Sequence, residues 1–391
     1  MEIIKNISKK LNYTWQCFLF TAIIFLWDIK FEYLQFRFLI VFLIFPILMS
    51  FNSEIFIKCT KYFFIVLLVF IHSFFQSEII TPRIAYSIGM LFILFLIFDV
   101  YKNFFFKNLD MIISLFLIIF FGFIVKNFFS YDDYFTQVSK TCLGCFSILK
   151  LFFKENSHFA MIAPFVIFYF IFLSKINKFM NYISFILFVL LCYTNPSTTM
   201  IAGLLLTFFL SSFFIKKISN NNKIVIFIFI LITSVLLIKD DRFNSKINEY
   251  FIVKENNRIN LSTEVLKISH FIAIKSIINK PLGYGFNNYE EAFNEYINLY
   301  EVEHIESFHL NKKDASNNFS KIVTEFGIFS LFFFYFIISF IFRDNIDVKI
   351  KLFLIIPIII QTFIRGGGYF NGGFLLFLYF AYSLWVDSKR I

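Results

Sequence analysis

The sequence predicts an all-α polytopic membrane protein: a helical bundle of about twelve transmembrane helices, with a large external loop that contains an amphipathic helix. Three observations predict it. Apolar residues make up 59% of the 391 and charged residues only 16%, with a mean hydropathy of +0.76, whereas soluble domains run near 45–50% apolar and about 25% charged. The apolar residues gather into runs of membrane-crossing length. Lysine and arginine gather in alternate short loops between those runs. With 66 phenylalanines, the chain carries more apolar surface than one soluble core hides. A soluble enzyme, a disordered chain and a disulfide-built secreted domain are excluded.

The candidate spans fall at 13–27, 36–51, 60–77, 84–100, 109–125, 159–174, 179–194, 198–215, 223–239, 319–342, 350–364 and 369–386. Several are short and rely on tilt or flanking aromatics. No small-x-small cleavage site follows Trp27, so the first run reads as a span and not a secretory signal. Phe, Ile, Asn and Lys are all frequent together, and the aromatic stripes are therefore expected to be mostly lipid-facing filler. With the N-terminus inside, inner loops hold about 17 basic residues, among them Lys58, Lys61, Lys102, Lys107, Arg343 and Lys351, against about four in the short outer loops: Lys30, Arg37, Arg83 and Arg365. Both termini are thus expected in the cytoplasm. The net charge of +10 sits in these loops, with no basic, aromatic-interleaved patch of the nucleic-acid-binding kind.

One membrane domain, 1–391, is expected to carry two external segments, 126–158 and 240–318. Four of the five histidines, His158, His270, His304 and His309, lie at or in them. Polar chemistry gathered on one side of an apolar scaffold points to that side as the functional one. Residues 262–280 repeat Val265, Leu266, Ile268, Phe271, Ile272, Ile274, Ile277 and Ile278 at helical spacing, which predicts an amphipathic helix on the membrane surface or capping a cavity. Ser262 or Thr263 is expected to cap it, and Pro281 with Gly283 to end it.

Within these segments, Glu155 and His158 stand about one helical turn apart at the head of the sixth span, a spacing that suits a base and an acceptor-binding group. Arg242, Arg258 and Arg365 are external arginines, and Arg365 opens the turn Arg365-Gly366-Gly367-Gly368-Tyr369-Phe370-Asn371-Gly372-Gly373. Glycines there let backbone N–H groups approach a ligand, and a guanidinium grips phosphate at two points. The bland alternative is a flexible turn with Arg365 reaching to headgroups. Cys142 and Cys145 form a lone C-x-x-C with no second pair, and the grouping of His304 and His309 with Glu301, Glu303 and Glu306 is too irregular for a metal site. No metal or cofactor is expected.

Taken in order, several stretches resemble the bacterial O-antigen polymerase family, which shares a superfamily with O-antigen ligases. Lys154–Ala160 resembles the family's E-P-S-x-F-A stretch, with Asn156 in place of proline, and Tyr193–Met200 resembles its S-T-T turn. Ile278–Gly285 resembles the hP-x-G-x-G element of the large loop. Asp314–Phe329 resembles the H-N-x-x-x-x-x-x-E-x-G return into the membrane, with Ser316 or Asn317 where the family often has histidine. Phe363–Gly373 looks like the polymerases' arginine-glycine turn. The arginine expected before Pro281 has no clean counterpart: Arg258 is too far upstream and Lys267 is closer.

The resemblance implies a metal-independent glycosyltransferase of a bacterial inner membrane, working on its periplasmic face in lipopolysaccharide or other surface-polysaccharide synthesis. The growing glycan would leave undecaprenyl diphosphate for the non-reducing end of another undecaprenyl-diphosphate-linked oligosaccharide, beside a repeat-unit flippase and a chain-length regulator. Glu155, His309 and Asp314 are the candidate catalytic groups. Arg242, Arg258, Arg365, His158, Gly366 and Tyr369 are the candidate substrate-binding ones. A ligase acting on lipid A–core is one alternative. A transporter or flippase is another, and the span interiors read as nearly charge-free against it.

Overall fold

The computed structural model describes residues 2–27, 29–31, 34–77, 81–129, 136–137, 148–149, 156–175, 186, 198–215 and 260–388. All of the span expected at 179–194 but Ile186, the span expected at 223–239, most of the 126–158 loop, and Glu155, Arg242, Arg258, Cys142 and Cys145 lie outside them. The described chain is all-α, with two-residue ladders pairing Lys30–Phe31 with Leu34–Gln35 and Thr136–Gln137 with Ile148–Leu149.

The helices are α1 (Glu2–Phe25), a 3-10 helix Phe36–Leu43 running into α2 (Ile44–Met49), α3 (Ser53–Gln76), α4 (Pro82–Lys107), α5 (Leu109–Phe129), α6 (Asn156–Phe172) and α7 (Thr198–Phe214). After the undescribed stretch come α8 (Leu261–Asn279), α9 (Tyr289–Tyr296), α10 (Asn318–Phe326), α11 (Ser330–Ile341), α12 (Val348–Ile359) and α13 (Phe374–Asp387). Side-chain caps start many of them: Asn52 accepts from Ile55 N–H at 2.9 Å, and Thr81 from Ile84 N–H at 3.4 Å ahead of Pro82. The start of the large-loop helix is set by Asn260, which accepts from Ser262 N–H at 3.0 Å, and not by Ser262 or Thr263. Its apolar positions divide between two faces: Val265, Ile268 and Ile272 are buried, while Ile274, Ile277 and Ile278 are exposed.

Among the described residues, three stretches are long and apolar enough to cross a membrane: Ser53–Gln76, Pro82–Lys107 and Asn318–Ile341. Other runs expected as spans form shorter apolar helices, such as Phe38–Met49 and Phe374–Asp387. Backbone chemistry interrupts two apolar runs. Gly327, at φ +52°, separates α10 from α11, and Pro357 in α12 is followed by a π-helical turn, Ile360–Ile364.

The aromatics also divide. Phe56, Phe63, Phe64, Phe74 and Phe75 point outward from α3, but Phe20, Phe25, Phe98, Phe105, Phe116 and Phe165 are fully buried in the core between helices. Rings of this size fill inter-helix space densely and interlock edge to face, so the filler reading fails for them. At the α6–α7 crossing, a Cβ on Gly203 would sit 2.8 Å from Pro164 Cγ; a side chain would force the helices apart.

Contacts sort the helix ends into two layers. At one end Trp27 meets His158 (ring centroids 4.5 Å), Ser73 Oγ accepts from Phe286 N–H (2.9 Å) and Gly366 N–H donates to Ser316 O (3.1 Å). At the other, Tyr13 donates to Asn108 (2.6 Å), Lys58 faces Asp99 (3.7 Å), Lys102 pairs with Asp387 (2.5 Å) and Arg343 donates to Ser388 O (3.0 Å). The chain therefore alternates in direction, and these basic side chains lie at the end opposite residues 260–318. That segment folds as a cap with its own small core of Ile268, Ile272, Tyr284, Tyr289, Phe293, Tyr296 and Ile297.

Candidate functional site

The site forms where the cap meets the bundle, around α10. Asn317 caps this helix by accepting from Ser320 N–H at 2.9 Å. With its oxygen committed there, the Asn317 amide donates to His270 Nε2 at 3.0 Å, so the imidazole is neutral with its proton on Nδ1. Burial pushes the His270 pKa down, in keeping with that state.

One turn into α10, Lys321 and Glu325 form an i,i+4 ion pair (3.5 Å) with both side chains 0% exposed. Lys321 Nζ also donates to Lys313 O (2.8 Å) and Asp314 Oδ1 (3.1 Å). Glu325 accepts from Asn287 N–H (2.7 Å), Tyr289 N–H (3.1 Å) and Tyr369 OH (2.8 Å). An ion that gives up water must recover its hydration from such bonds, and here both partners do. This pair lies inside the stretch 319–342, so the expectation of charge-free span interiors does not hold there.

Two glycine segments wrap the pair. The strap 281–285 runs along the C-terminal end of α10, with Tyr284 N–H on Thr324 O (3.0 Å), Gly285 N–H on Glu325 O (2.9 Å) and Ile328 N–H on Pro281 O (2.8 Å). Gly283 (φ +86°) and Gly327 face each other so closely that a Cβ on either would run into the opposite backbone. On the far side, the 365–373 turn sends Gly368 N–H to Asn318 Oδ1 (3.2 Å) and stacks Tyr369 on Phe286 (5.1 Å). A Cβ on Gly368, at φ +85°, would sit 2.6 Å from Asp314 Oδ1. The carboxylate thus lies against the glycine turn.

Arg83, at the start of α4, ties bundle to cap. Its guanidinium reaches Glu290 (3.2 Å), Asn287 Oδ1 (3.4 Å), Lys313 O (3.1 Å) and Asp314 Oδ1 (3.5 Å). Asp314 Oδ1 is accordingly shared by two cations, Arg83 and Lys321. Deeper in the cap, Glu264 is fully buried and accepts from Glu303 N–H (2.5 Å), His304 N–H (3.2 Å), His304 Nδ1 (2.7 Å) and Ser307 Oγ (2.8 Å). Burial alone would raise its pKa, but these donors outweigh it and hold the carboxyl below the usual carboxylate range. Burial also pushes the Tyr284 and Tyr289 phenols up, keeping them neutral.

Of the residues singled out from the sequence, Asp314, Gly366 and Tyr369 meet at this junction. Arg365 opens its glycine turn, half-buried, with its N–H on Ile360 O at 3.0 Å. His158 is buried against Trp27 at the same end of the bundle. His309 is exposed in the turn after the 3-10 helix Ile305–Phe308, which leaves it without the desolvated setting of a base. Glu155, Arg242 and Arg258 lie outside the described residues. Sequence reasoning missed Arg83, Lys321, Glu325 and Glu264. Lys321 and Glu325 carried a usable signal, since two ionisable groups at i,i+4 in an apolar run mark a site. Among the described residues, no cluster of three or more His, Cys, Asp or Glu could hold a metal ion. No protein-family profile matches the chain, and no curated protein or solved structure does either.

Proposed function

We propose that the chain is a membrane glycosyltransferase of the O-antigen polymerase type. On this reading it has about twelve spans in a bacterial inner membrane, both termini cytoplasmic and the cap periplasmic. It transfers a growing glycan from undecaprenyl diphosphate to the non-reducing end of another lipid-linked repeat unit, supplied by a flippase and trimmed in extent by a chain-length regulator. One observation carries the reading: Asp314 lies between Arg83 and Lys321 and against Gly368 of the turn opened by Arg365. The motif order of the sequence supports the same conclusion.

The chemistry follows from that arrangement. The acceptor hydroxyl gives its proton to the Asp314 carboxylate, and its oxygen bonds to the donor's anomeric carbon. The anomeric C–O bond to the diphosphate breaks, and the diphosphate leaves with the electron pair. Arg365 and the backbone N–H groups of its glycine turn take up the charge that develops on it. A guanidinium matches a diphosphate at two points where an ammonium offers one.

Arg365→Ala is expected to abolish long polymer on gels while the protein still inserts, and Arg365→Lys to rescue poorly. Full-length ladders from both variants would exclude this role. A second reading, carriage of the glycan across the membrane, draws on the buried Lys321–Glu325 pair. Purified protein in detergent discriminates: a polymerase extends lipid-linked repeat units with no membrane to cross, a transporter does not. Lipid A–core as the only productive acceptor would make the protein a ligase.

A further inference from the structure

A cavity of about 290 Å3 opens beside Arg83, between the start of α4 and α9. Its floor is Asn287 and Asn288, and Thr81, Glu290, Glu291 and Asn294 form its rim. The floor is built and not incidental. Asn287 holds φ +56°, a left-handed conformation uncommon outside glycine. What holds it there is buried: its N–H bonds Glu325, and its side-chain amide donates to Ser87 Oγ at 2.7 Å. The Asn288 amide donates to Tyr284 O (3.0 Å), Ser77 Oγ (3.3 Å) and Glu291 Oε2 (2.5 Å), leaving its carbonyl oxygen out of those bonds.

The lining decides the class of ligand. It consists of hydroxyl, amide, carboxylate and guanidinium groups, with no aliphatic or aromatic side chain among the residues named. An acyl chain would have to lie against amide, carboxylate and guanidinium groups. The charges are already balanced within the fold: Arg83 on Glu290 and Asp314, Lys280 on Glu291 at 3.1 Å, Lys312 near Glu290 at 3.8 Å. A phosphate would have to displace Glu290 or Asp314 from Arg83. A ring of hydroxyls, each both donor and acceptor, matches amides and carboxylates without displacing anything. Position adds the last element, because Arg83 links the cavity to Asp314, the group assigned above to receive the acceptor's proton.

We propose that this cavity is the acceptor-sugar subsite, holding an uncharged, hydroxyl-rich sugar ring whose reactive hydroxyl is turned toward Asp314. The acceptor role rests on the polymerase reading; binding of a sugar does not. The test is saturation-transfer NMR on the full-length protein in detergent. The probe is the lipid-free repeat-unit oligosaccharide released by mild acid from the cells that carry the protein, with inorganic diphosphate as competitor. Transfer to the non-reducing-end ring is expected in the wild type. It should weaken about tenfold in Glu290→Gln, where a charged hydrogen-bond partner is lost, and measurably in Asn294→Ala, an exposed rim position whose variant keeps the wild-type melting temperature. Diphosphate should leave it unchanged. Equal transfer in wild type and both variants, or displacement by diphosphate, overturns the subsite. Wild-type polymer ladders from both variants overturn the acceptor role. A wild type that binds the sugar through these residues yet makes no polymer from lipid-linked units removes the polymerase and leaves the subsite standing.

Discussion

Lys321 and Glu325 define what a buried charge does in this fold. Neither stabilises the protein by attraction alone, because dehydrating both ions offsets most of what their contact returns. What the pair contributes is placement: through Glu325 it holds the backbone of Asn287 and Tyr289 and the hydroxyl of Tyr369, and through Lys321 it holds Asp314. Removing Lys321 leaves Glu325 buried without its ion pair, at a cost of about 3–5 kcal/mol, and removing Glu325 leaves the buried Lys321 with Asp314 as its remaining carboxylate. Lys321→Met and Glu325→Gln are each expected to lower the melting temperature sharply and to abolish polymer. The double variant should recover stability towards the wild type without recovering polymer. A double variant as unstable as the sum of the singles would show that the two side chains act independently.

At the scale of elements, the cap is held together by α8 and the segment 300–308 as much as by its apolar core. Glu264, from the first turn of α8, is the fully buried carboxylate that gathers that segment's N–H and hydroxyl groups. Its folded pKa lies below its unfolded one. The stability it contributes is therefore complete above the ordinary carboxylate pKa and is lost as pH falls through the lower, folded value. Between pH 7 and pH 3 the wild type should lose more melting temperature than Glu264→Gln, which starts lower and changes less. Parallel curves for the two proteins would count against the assignment. The same element shows what periodicity left out: its buried face includes Glu264, Ser269 and Ser276, so hydrophobicity marks only part of what is inside.

For the whole molecule, the decisive feature is the sorting of helix ends into two layers. Lys58, Lys102 and Arg343 lie at one end and the cap at the other. The basic end should face the cytoplasm. Reporter domains fused at Asn294, in the cap, and at Asn345, between α11 and α12, should therefore report opposite sides; the same side for both would refute the alternating arrangement.

The sequence by itself determined the all-α class, and it picked out Asp314 and the turn at 365–373, which the structure brings side by side. Those follow from composition, from Lys and Arg in loops and from glycine spacing, all local properties of the chain. It did not determine where spans break, because a π-helical turn after Pro357 and a left-handed Gly327 interrupt runs that are continuous in hydropathy. Nor did it single out Arg83, which lies 207 residues from Glu290 and 231 from Asp314 in the chain. An ion pair across such a separation leaves no periodic trace. Only the packing of α4 against the cap brings Arg83 to Asp314, and only the burial of α10 turns Lys321 and Glu325 from two ordinary charges into the centre of the site.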